Sequence, residues 1–302
     1  MEEGEIIRIA GRDVRVTRPQ KVLFPEDGIT KRDLIAYYER ISPWILPHLQ
    51  GRPLALERYP DGIARPGFFQ KAAPAYYPDW IKTVVVKKTG GTVRHVICDD
   101  TATVVYLANR ACVTPHIWLS RAEKLDRPDQ LVFDLDPGTN NFEAVKATAR
   151  SLKQLLDWLG LPAYLKTTGS RGLHVIVPLK PAETFESVRS FARSCARLVV
   201  SQAAAQRTME QRINARGERV FVDTNRNAYA QLIAPAYAVR ARRGAPVSTP
   251  IDWSALAAND LRPDGVAIQN IFSRLKRTED PWKNFWLQVA SLDEARRKLK
   301  SA

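Results

Sequence analysis

The sequence predicts a mixed fold, α/β or α+β, forming one compact unit with two lobes. Three observations carry this expectation. Short apolar runs of strand character, Gln130 to Leu135, Leu173 to Leu179 and Arg219 to Val222, are interspersed with helical stretches. Two of those stretches are strongly amphipathic: Phe142, Val145, Ala149, Leu152, Leu155, Leu156 and Leu159 form one stripe, and Phe185, Val188, Phe191, Cys195, Leu198 and Val199 another. The 302 residues, 45% hydrophobic and 26% charged, suffice for one large domain or two small ones and show no internal repeat or low-complexity linker.

The elements follow in chain order. Residues 5–17 alternate apolar and polar around Gly11 and read as a strand hairpin. Thr30, with Asp33 three positions on, is an N-cap signal. Leu34, Tyr37, Tyr38 and Ile41 continue that helix until Pro43 and Pro47, which are expected to break it. Residues 52–60 and Thr83 to Val86 read as strands. Gly160 ends the first amphipathic helix, and the Gly244-Ala245-Pro246 stretch is the strongest boundary candidate.

Composition excludes several classes. The chain is neither disordered, nor collagen-like, nor a disulfide-stapled miniprotein. No apolar run approaches the roughly 18–20 residues of a membrane span, and the acidic start Met1-Glu2-Glu3-Gly4-Glu5 is unlike a secretory signal. Cys98, Cys112 and Cys195 lack metal-ligand spacing and are expected as free thiols in a reducing, cytoplasmic setting. The net charge is 46 − 32 = +14, and it is unevenly spread. Residues 1–150 carry 22 − 19 = +3, and residues 151–302 carry 24 − 13 = +11. An excess concentrated in one half favours a polyanionic partner, most simply nucleic acid, over a basic surface kept for solubility.

Leu131-Val132-Phe133-Asp134-Leu135-Asp136-Pro137-Gly138 is the most informative segment. An apolar strand carries two acids two residues apart, so both carboxylates project from one face at its end. Such a pair fits a hard cation, Mg²⁺ or Mn²⁺; read alone it equally fits a turn cap with Asp134 exposed. Val220-Phe221-Val222-Asp223 is a second apolar strand ending in an acid. Three strand-end aspartates are the minimum for two-metal phosphoryl transfer. Lys166-Thr167-Thr168-Gly169-Ser170-Arg171-Gly172-Leu173-His174 is a polar, glycine-containing turn feeding a strand. Its backbone amides, the Ser170 hydroxyl and the Arg171 guanidinium suit phosphate oxygens, although a plain hairpin turn with a core histidine fits too.

The ordered set Asp-Leu-Asp-Pro-Gly, Gly-Ser-Arg-Gly-Leu-His, Val-Phe-Val-Asp resembles the three-motif signature of the archaeo-eukaryotic primase superfamily. Within it the chain resembles the polymerase domain of bacterial non-homologous end-joining ligase D. Lys21-Val22-Leu23-Phe24-Pro25, Gly67-Phe68-Phe69-Gln70-Lys71, Thr114-Pro115-His116-Ile117-Trp118 and Ile233 to Arg242 extend the likeness along nearly the whole chain. The resemblance implies a primase-like core of mixed and antiparallel sheets flanked by helices. It would span residues 1–302 as one domain, with an N-terminal lobe over about 1–125, catalytic motifs over 130–245 and a helical C-terminal segment over about 250–302.

The resemblance also implies roles. Asp134, Asp136 and Asp223 match metal-binding catalytic aspartates, holding two Mn²⁺ (or Mg²⁺) ions per active site. Ser170, Arg171, His174, His116, Arg240 and Arg242 match residues lining the NTP or dNTP site. Lys21 and Lys31 match a pair that grips a 5′-phosphate on the downstream side of a gap. Phe68, Phe69 and Lys71 match a template-stacking platform, and Arg216 a DNA-contacting residue. Implied partners are DNA with a 5′-phosphorylated downstream end, NTPs, Ku and a separate ATP-dependent DNA ligase. A nucleoid-associated cytoplasmic protein, with no membrane, is expected, and ribonucleotides should be used at least as well as deoxyribonucleotides. Arg226 departs from the glutamine common at that position in relatives. The 302 residues hold no nucleotidyl-lysine ligase motif and no nuclease module. The same motifs also serve a primase that starts chains de novo, and the carboxylates alone serve a nuclease; a non-catalytic end-bridging module would leave them idle.

Overall fold

The computed structural model describes residues 4–139 and 141–301. Their backbone contacts divide into two units. One comprises Met1–Glu123, Leu232–Ser248 and Ala267–Gln269, the other Lys124–Gln231, Thr249–Val266 and Asn270–Ala302. Seven α-helices and two main sheets among the described residues make this the mixed class the sequence predicts.

In the first unit the expected hairpin is β1 (Gly4–Ile9) with β2 (Arg12–Thr17), turning at Gly11, whose φ of 78° suits a residue without a Cβ. A second short hairpin, β3 (Val22–Phe24) and β4 (Ile29–Thr30), leads into helix α1 (Lys31–Leu49). The capping box forms as the sequence suggests: Thr30 Oγ1 accepts from Asp33 N–H, and the Asp33 carboxylate accepts from Thr30 N–H. The prolines do not end this helix. Ser42 Oγ donates to the Glu39 carbonyl at 2.8 Å, the oxygen that Pro43 cannot serve. The buried stripe Leu34, Tyr38, Ile41, Ile45 and Leu49 runs past both prolines, so tertiary burial overrides the local break.

Strand β5 (Pro53–Arg58) is the hub of the first unit's larger sheet. It pairs with β6 (Phe68–Gln70), β8 (Gly91–Ile97) and β9 (Cys112–Ile117), and β7 (Thr83–Lys88) completes a hairpin with β8. Helix α2 (Thr101–Asn109) is capped by Asp100 and buried on nearly every side, so it lacks the amphipathic period that would reveal it in sequence.

The second unit is built on one six-stranded sheet in the order β13 (Arg207–Thr208), β14 (Val220–Asp223), β10 (Gln130–Asp136), β12 (Leu173–Pro178), β11 (Tyr164–Thr167), β15 (Pro250–Ile251). All its neighbours are antiparallel except β13 and β14. One face is apolar: Leu131, Phe133 and Leu135 of β10 and Leu173, Val175 and Val177 of β12 share a core with α3 (Phe142–Trp158) and α4 (Phe185–Ser201). The two stripes read from the sequence supply that helical layer, and a Gly160 φ of 75° marks the end of α3. Because strand residues alternate, the other face of β10 presents Val132, Asp134 and Asp136. The C-terminal part adds α6 (Ile271–Arg277) and α7 (Asp293–Lys300), after the four-residue α5 (Ile213–Arg216). Among the described residues no helix is long and apolar enough to cross a membrane, and Cys98, Cys112 and Cys195 are free and buried.

Candidate active site

The register of the six-stranded sheet aligns four ionisable side chains. Asp223 of β14 lies opposite Asp134 of β10, Asp134 opposite His174 of β12, and His174 opposite Lys166 of β11. Directly opposed residues of antiparallel strands point to the same face, so these groups form a row across four adjacent strands. Asp134, His174, Lys166 and Asp223 are all buried, and Asp136 is half-buried at the end of β10. The turn-cap alternative with an exposed Asp134 is therefore excluded.

The row is held by short ionic contacts. His174 Nε2 lies 3.2 Å from Asp134 Oδ1, and Arg226 Nε lies 3.4 Å from Asp134 Oδ2 and 3.6 Å from Asp223 Oδ2. Burial pushes the Asp134 carboxyl up, but the charge and hydrogen bond of His174, then Arg226 and Lys166, outweigh it and hold the group well below its ordinary value. Asp136 goes the other way, up to about 6, through burial and then the charge of Asp134; Asp223 adds to this while Arg171 and Arg226 oppose it. Asp223 is also raised, first by burial, with the Asn225 amide opposing and the Asp134 charge contributing. Burial, ahead of any charge, is what disfavours the anionic forms of Asp136 and Asp223. Among the described residues no group of three or more His, Cys, Asp or Glu is gathered into a ready ligand cage. The donor chemistry nonetheless suits a hard divalent cation: three carboxylates, two of them disfavoured as anions.

The turn after β11 is closed by Thr168. Its Oγ1 accepts from the amides of Ser170 and Gly172 at 3.2 and 3.1 Å, two of the donors a sequence reading offers to an anion. Ser170 is half-buried and Arg171 is exposed, and the Arg171 charge is felt at Asp136. Gly172 allows close approach to β10: a Cβ there would stand 2.1 Å from the Leu135 carbonyl oxygen. Gly172→Ala should therefore force β10 and β12 apart and cost about 2 kcal/mol or more in chemical unfolding. An unchanged unfolding midpoint would show that the strands yield without loss.

Other sequence-predicted residues lie in the first unit. His116 on β9 sits 2.9 Å from Glu57 on β5, which lies opposite Thr114; the Tyr59 hydroxyl donates to the other Glu57 oxygen at 3.0 Å. Burial raises the Glu57 carboxyl, but His116, Tyr59 and Arg240 bring it down to about 2. Phe69 packs against His116 with centroids 5.1 Å apart, and Arg58 lies over the Phe68 ring. Phe68 and Phe69 are 48% and 52% exposed, which suits a stacking platform and excludes a core role; Lys71 and Arg242 are exposed and Arg240 half-buried.

Lys21 and Lys31 converge because the β3–β4 hairpin pairs Val22 with Thr30 and Lys31 N–H donates to the Lys21 carbonyl. Both line a cavity of about 210 Å³ together with Arg18, Arg58, Arg110 and Asp61. Lys21 Nζ meets Asp61 at 2.9 Å, and Lys31 Nζ reaches the Thr17 hydroxyl at 3.3 Å. Arg216, on α5, donates to the carbonyls of Glu210 and Gln211 and lies over the Phe221 ring at 3.7 Å, which orders it beside β14.

Lys166 and Glu57 were not singled out by sequence. Their available signal is the same, a charged residue inside a short apolar strand, Tyr164-Leu165-Lys166-Thr167 and Leu54-Ala55-Leu56-Glu57.

Comparison with known proteins identifies a family. Residues 30–282 match the family model described as LigD, primase-polymerase domain. The chain is 30% identical over 275 residues to the bifunctional non-homologous end joining protein LigD of Bacillus subtilis, covering 90% of this chain and 44% of that protein. It is 34% identical over 292 residues to the multifunctional non-homologous end joining protein LigD of Pseudomonas aeruginosa, covering 92% and 33%. The chain thus spans less than half the length of these curated relatives. Among solved structures, the polymerase domain from Mycobacterium tuberculosis ligase D in complex with DNA superposes with a TM-score of 0.86 at 27% identity, over 92% of this chain and 99% of that one. The family model covers most of the chain and the likeness to these relatives extends over about nine-tenths of it: the chain belongs to the LigD primase-polymerase domain family.

Proposed function

We propose that this chain is a template-dependent nucleotidyltransferase of the primase-polymerase type, acting at gaps or double-strand-break ends in non-homologous end joining. The observation that carries the reading is the aligned row Asp223, Asp134, His174 and Lys166, with Asp136 beside it. A set of anions backed by buried cations is suited to holding divalent ions against a polyphosphate; a pure DNA binder gains nothing by presenting three carboxylates to its ligand.

Asp134, Asp136 and Asp223 would hold the ions, Mn²⁺ preferred over Mg²⁺. Such ions, when bound, lower the pKa of an attacking hydroxyl and neutralise a leaving pyrophosphate. The chain's own residues supply the rest. His174 orients the Asp134 carboxylate and keeps it ionised. Ser170, Arg171, Arg240, Arg242 and His116 bind and orient the triphosphate of an NTP or dNTP, ribonucleotides at least as well as deoxyribonucleotides. Glu57 fixes the ring of His116. Phe68, Phe69 and Lys71 receive template bases, where stacking contributes about 1–3 kcal/mol per base. Arg216 contacts DNA, and Ku and a separate ligase complete the repair.

The test is extension of a primer on a gapped duplex with each nucleotide type, comparing Mg²⁺ and Mn²⁺. Template-directed lengthening is expected; shortening would identify a nuclease, and synthesis without a primer a primase. Lys21 and Lys31 would grip the downstream 5′-phosphate. Removing that phosphate should weaken gapped-DNA binding about tenfold or more, and the Lys21→Ala, Lys31→Ala double variant should bind both DNAs alike. Continued discrimination by the double variant would assign the phosphate to other residues.

A further inference from the structure

This inference deepens the proposed function and rests on its reading of the three aspartates. We propose that Arg226 is a resident counter-cation of the carboxylate cluster, standing where a divalent ion must come, so that guanidinium and metal compete for Asp134 and Asp223.

The geometry is that of a bridge. One nitrogen, Nε, approaches a carboxylate oxygen from each of two opposed strands, at 3.4 Å and 3.6 Å. The other cations of the row, His174 and Lys166, lie on the far side of Asp134 from Asp223, so they do not come between the two acids. Two buried carboxylates facing each other across a strand pair repel, and a guanidinium between them relieves this without a metal. A divalent ion taking the same oxygens would sit within a few ångströms of that guanidinium, and two like charges there disfavour each other.

The arginine is also mounted to move as a side chain while its backbone stays. Residues Asn225–Asn227 form a single 3₁₀ turn directly after β14. The Asn227 side-chain amide accepts from Val132 N–H at 2.8 Å and donates to Val132 C=O at 2.7 Å, replacing the ladder rung that follows the Asp134–Asp223 pair. Asn225 N–H donates to Asp223 Oδ1 at 2.7 Å, and its own Oδ1 accepts from Arg189. The turn is thus pinned to β10, β14 and α4. The Arg226 side chain, by contrast, is 39% exposed, against 10% and 9% for the two acids it bridges. It reaches the cluster from the solvent side and can leave without opening the core.

The test is Arg226→Gln, measured by Mn²⁺ binding to the protein without nucleotide or DNA (free-ion electron paramagnetic resonance) and by thermal unfolding with EDTA or saturating Mn²⁺. Loss of the competitor should tighten Mn²⁺ binding about tenfold or more. The variant should unfold at a lower temperature than wild type in EDTA, and the difference should close or reverse in Mn²⁺. Equal or weaker Mn²⁺ binding by the variant, with wild type binding normally, overturns the proposal and leaves the metal site intact. Mn²⁺ binding by neither protein, or binding that survives Asp134→Asn, removes the metal reading and this proposal with it. Arg226→Lys, which keeps a charge on a shorter reach, provides the same measurement if the glutamine variant is too unstable to purify: its Mn²⁺ affinity should also exceed that of wild type.

Discussion

Replacing Asp134 by asparagine is expected to cut primer extension about a thousandfold or more while leaving the protein folded. Asp134 is the one carboxylate of the three that its surroundings hold ionised, with His174 at 3.2 Å and Arg226 at 3.4 Å. It also occupies the middle of the row, between Asp223 and His174. The amide keeps the shape and one acceptor oxygen but removes the charge that meets His174 and on which the proposed cation binding depends. Its NH₂ would also face Arg226, a donor against a donor. Steady-state extension with Mn²⁺ is the measurement, with circular dichroism as the check on folding. Extension at the wild-type rate would show that the row is structural and that chemistry lies elsewhere.

Asp136→Asn should raise stability: the metal-free protein becomes harder to unfold at neutral pH even as its activity is lost. The folded-state carboxyl sits at about 6, against an ordinary 3.8, mainly because of burial and then the charge of Asp134. Below about pH 4 the group is protonated in folded and unfolded chains alike and contributes nothing. As pH rises through this interval the unfolded chain releases the proton first, so the folded state is progressively disfavoured. Above about pH 6 the penalty is complete, up to about 3 kcal/mol. Asparagine removes it. Urea unfolding in EDTA should therefore show a variant more stable than wild type near pH 7.5, with the gap closing near pH 4. A variant less stable at neutral pH would mean that the Asp136 charge is compensated in the folded chain.

Much of this was legible in the sequence, for physical reasons that differ by element. The strands β10, β12 and β14 read clearly because they are short, nearly continuous apolar runs buried on both faces, interrupted only by isolated charges. Helices α3 and α4 read clearly because they cover that sheet with one apolar stripe each. Helix α2 and strand β9 are buried almost throughout, so neither shows a period, and Pro115 argues against a strand that nevertheless forms. Helix α1 was expected to stop at Pro43, but a single hydroxyl, Ser42, and the burial of Ile45 and Leu49 carry it on. The acids at the site were visible as charges in apolar strands. Lys166 and Glu57 carried the same signal, yet their importance comes from which strands lie beside them, and pairing between segments far apart in sequence is not written in either segment. Arg226 is the sharpest case. Its place between two aspartates follows from a turn pinned by Asn227, a contact no spacing rule predicts.

The alignment of Asp223, Asp134, His174 and Lys166 is set by rungs of backbone hydrogen bonding, and rungs come in whole numbers. A slip of β14 by one residue would turn Asp223 into the oily layer against α3 and α4 and bring Val222 or Thr224 to its place. Intermediate arrangements do not exist, so damage that shifts the ladder should switch the chemistry off outright, whereas changes in the connecting loops should leave it nearly untouched. Selection on such a centre acts through the weave of the sheet as much as through the acids themselves.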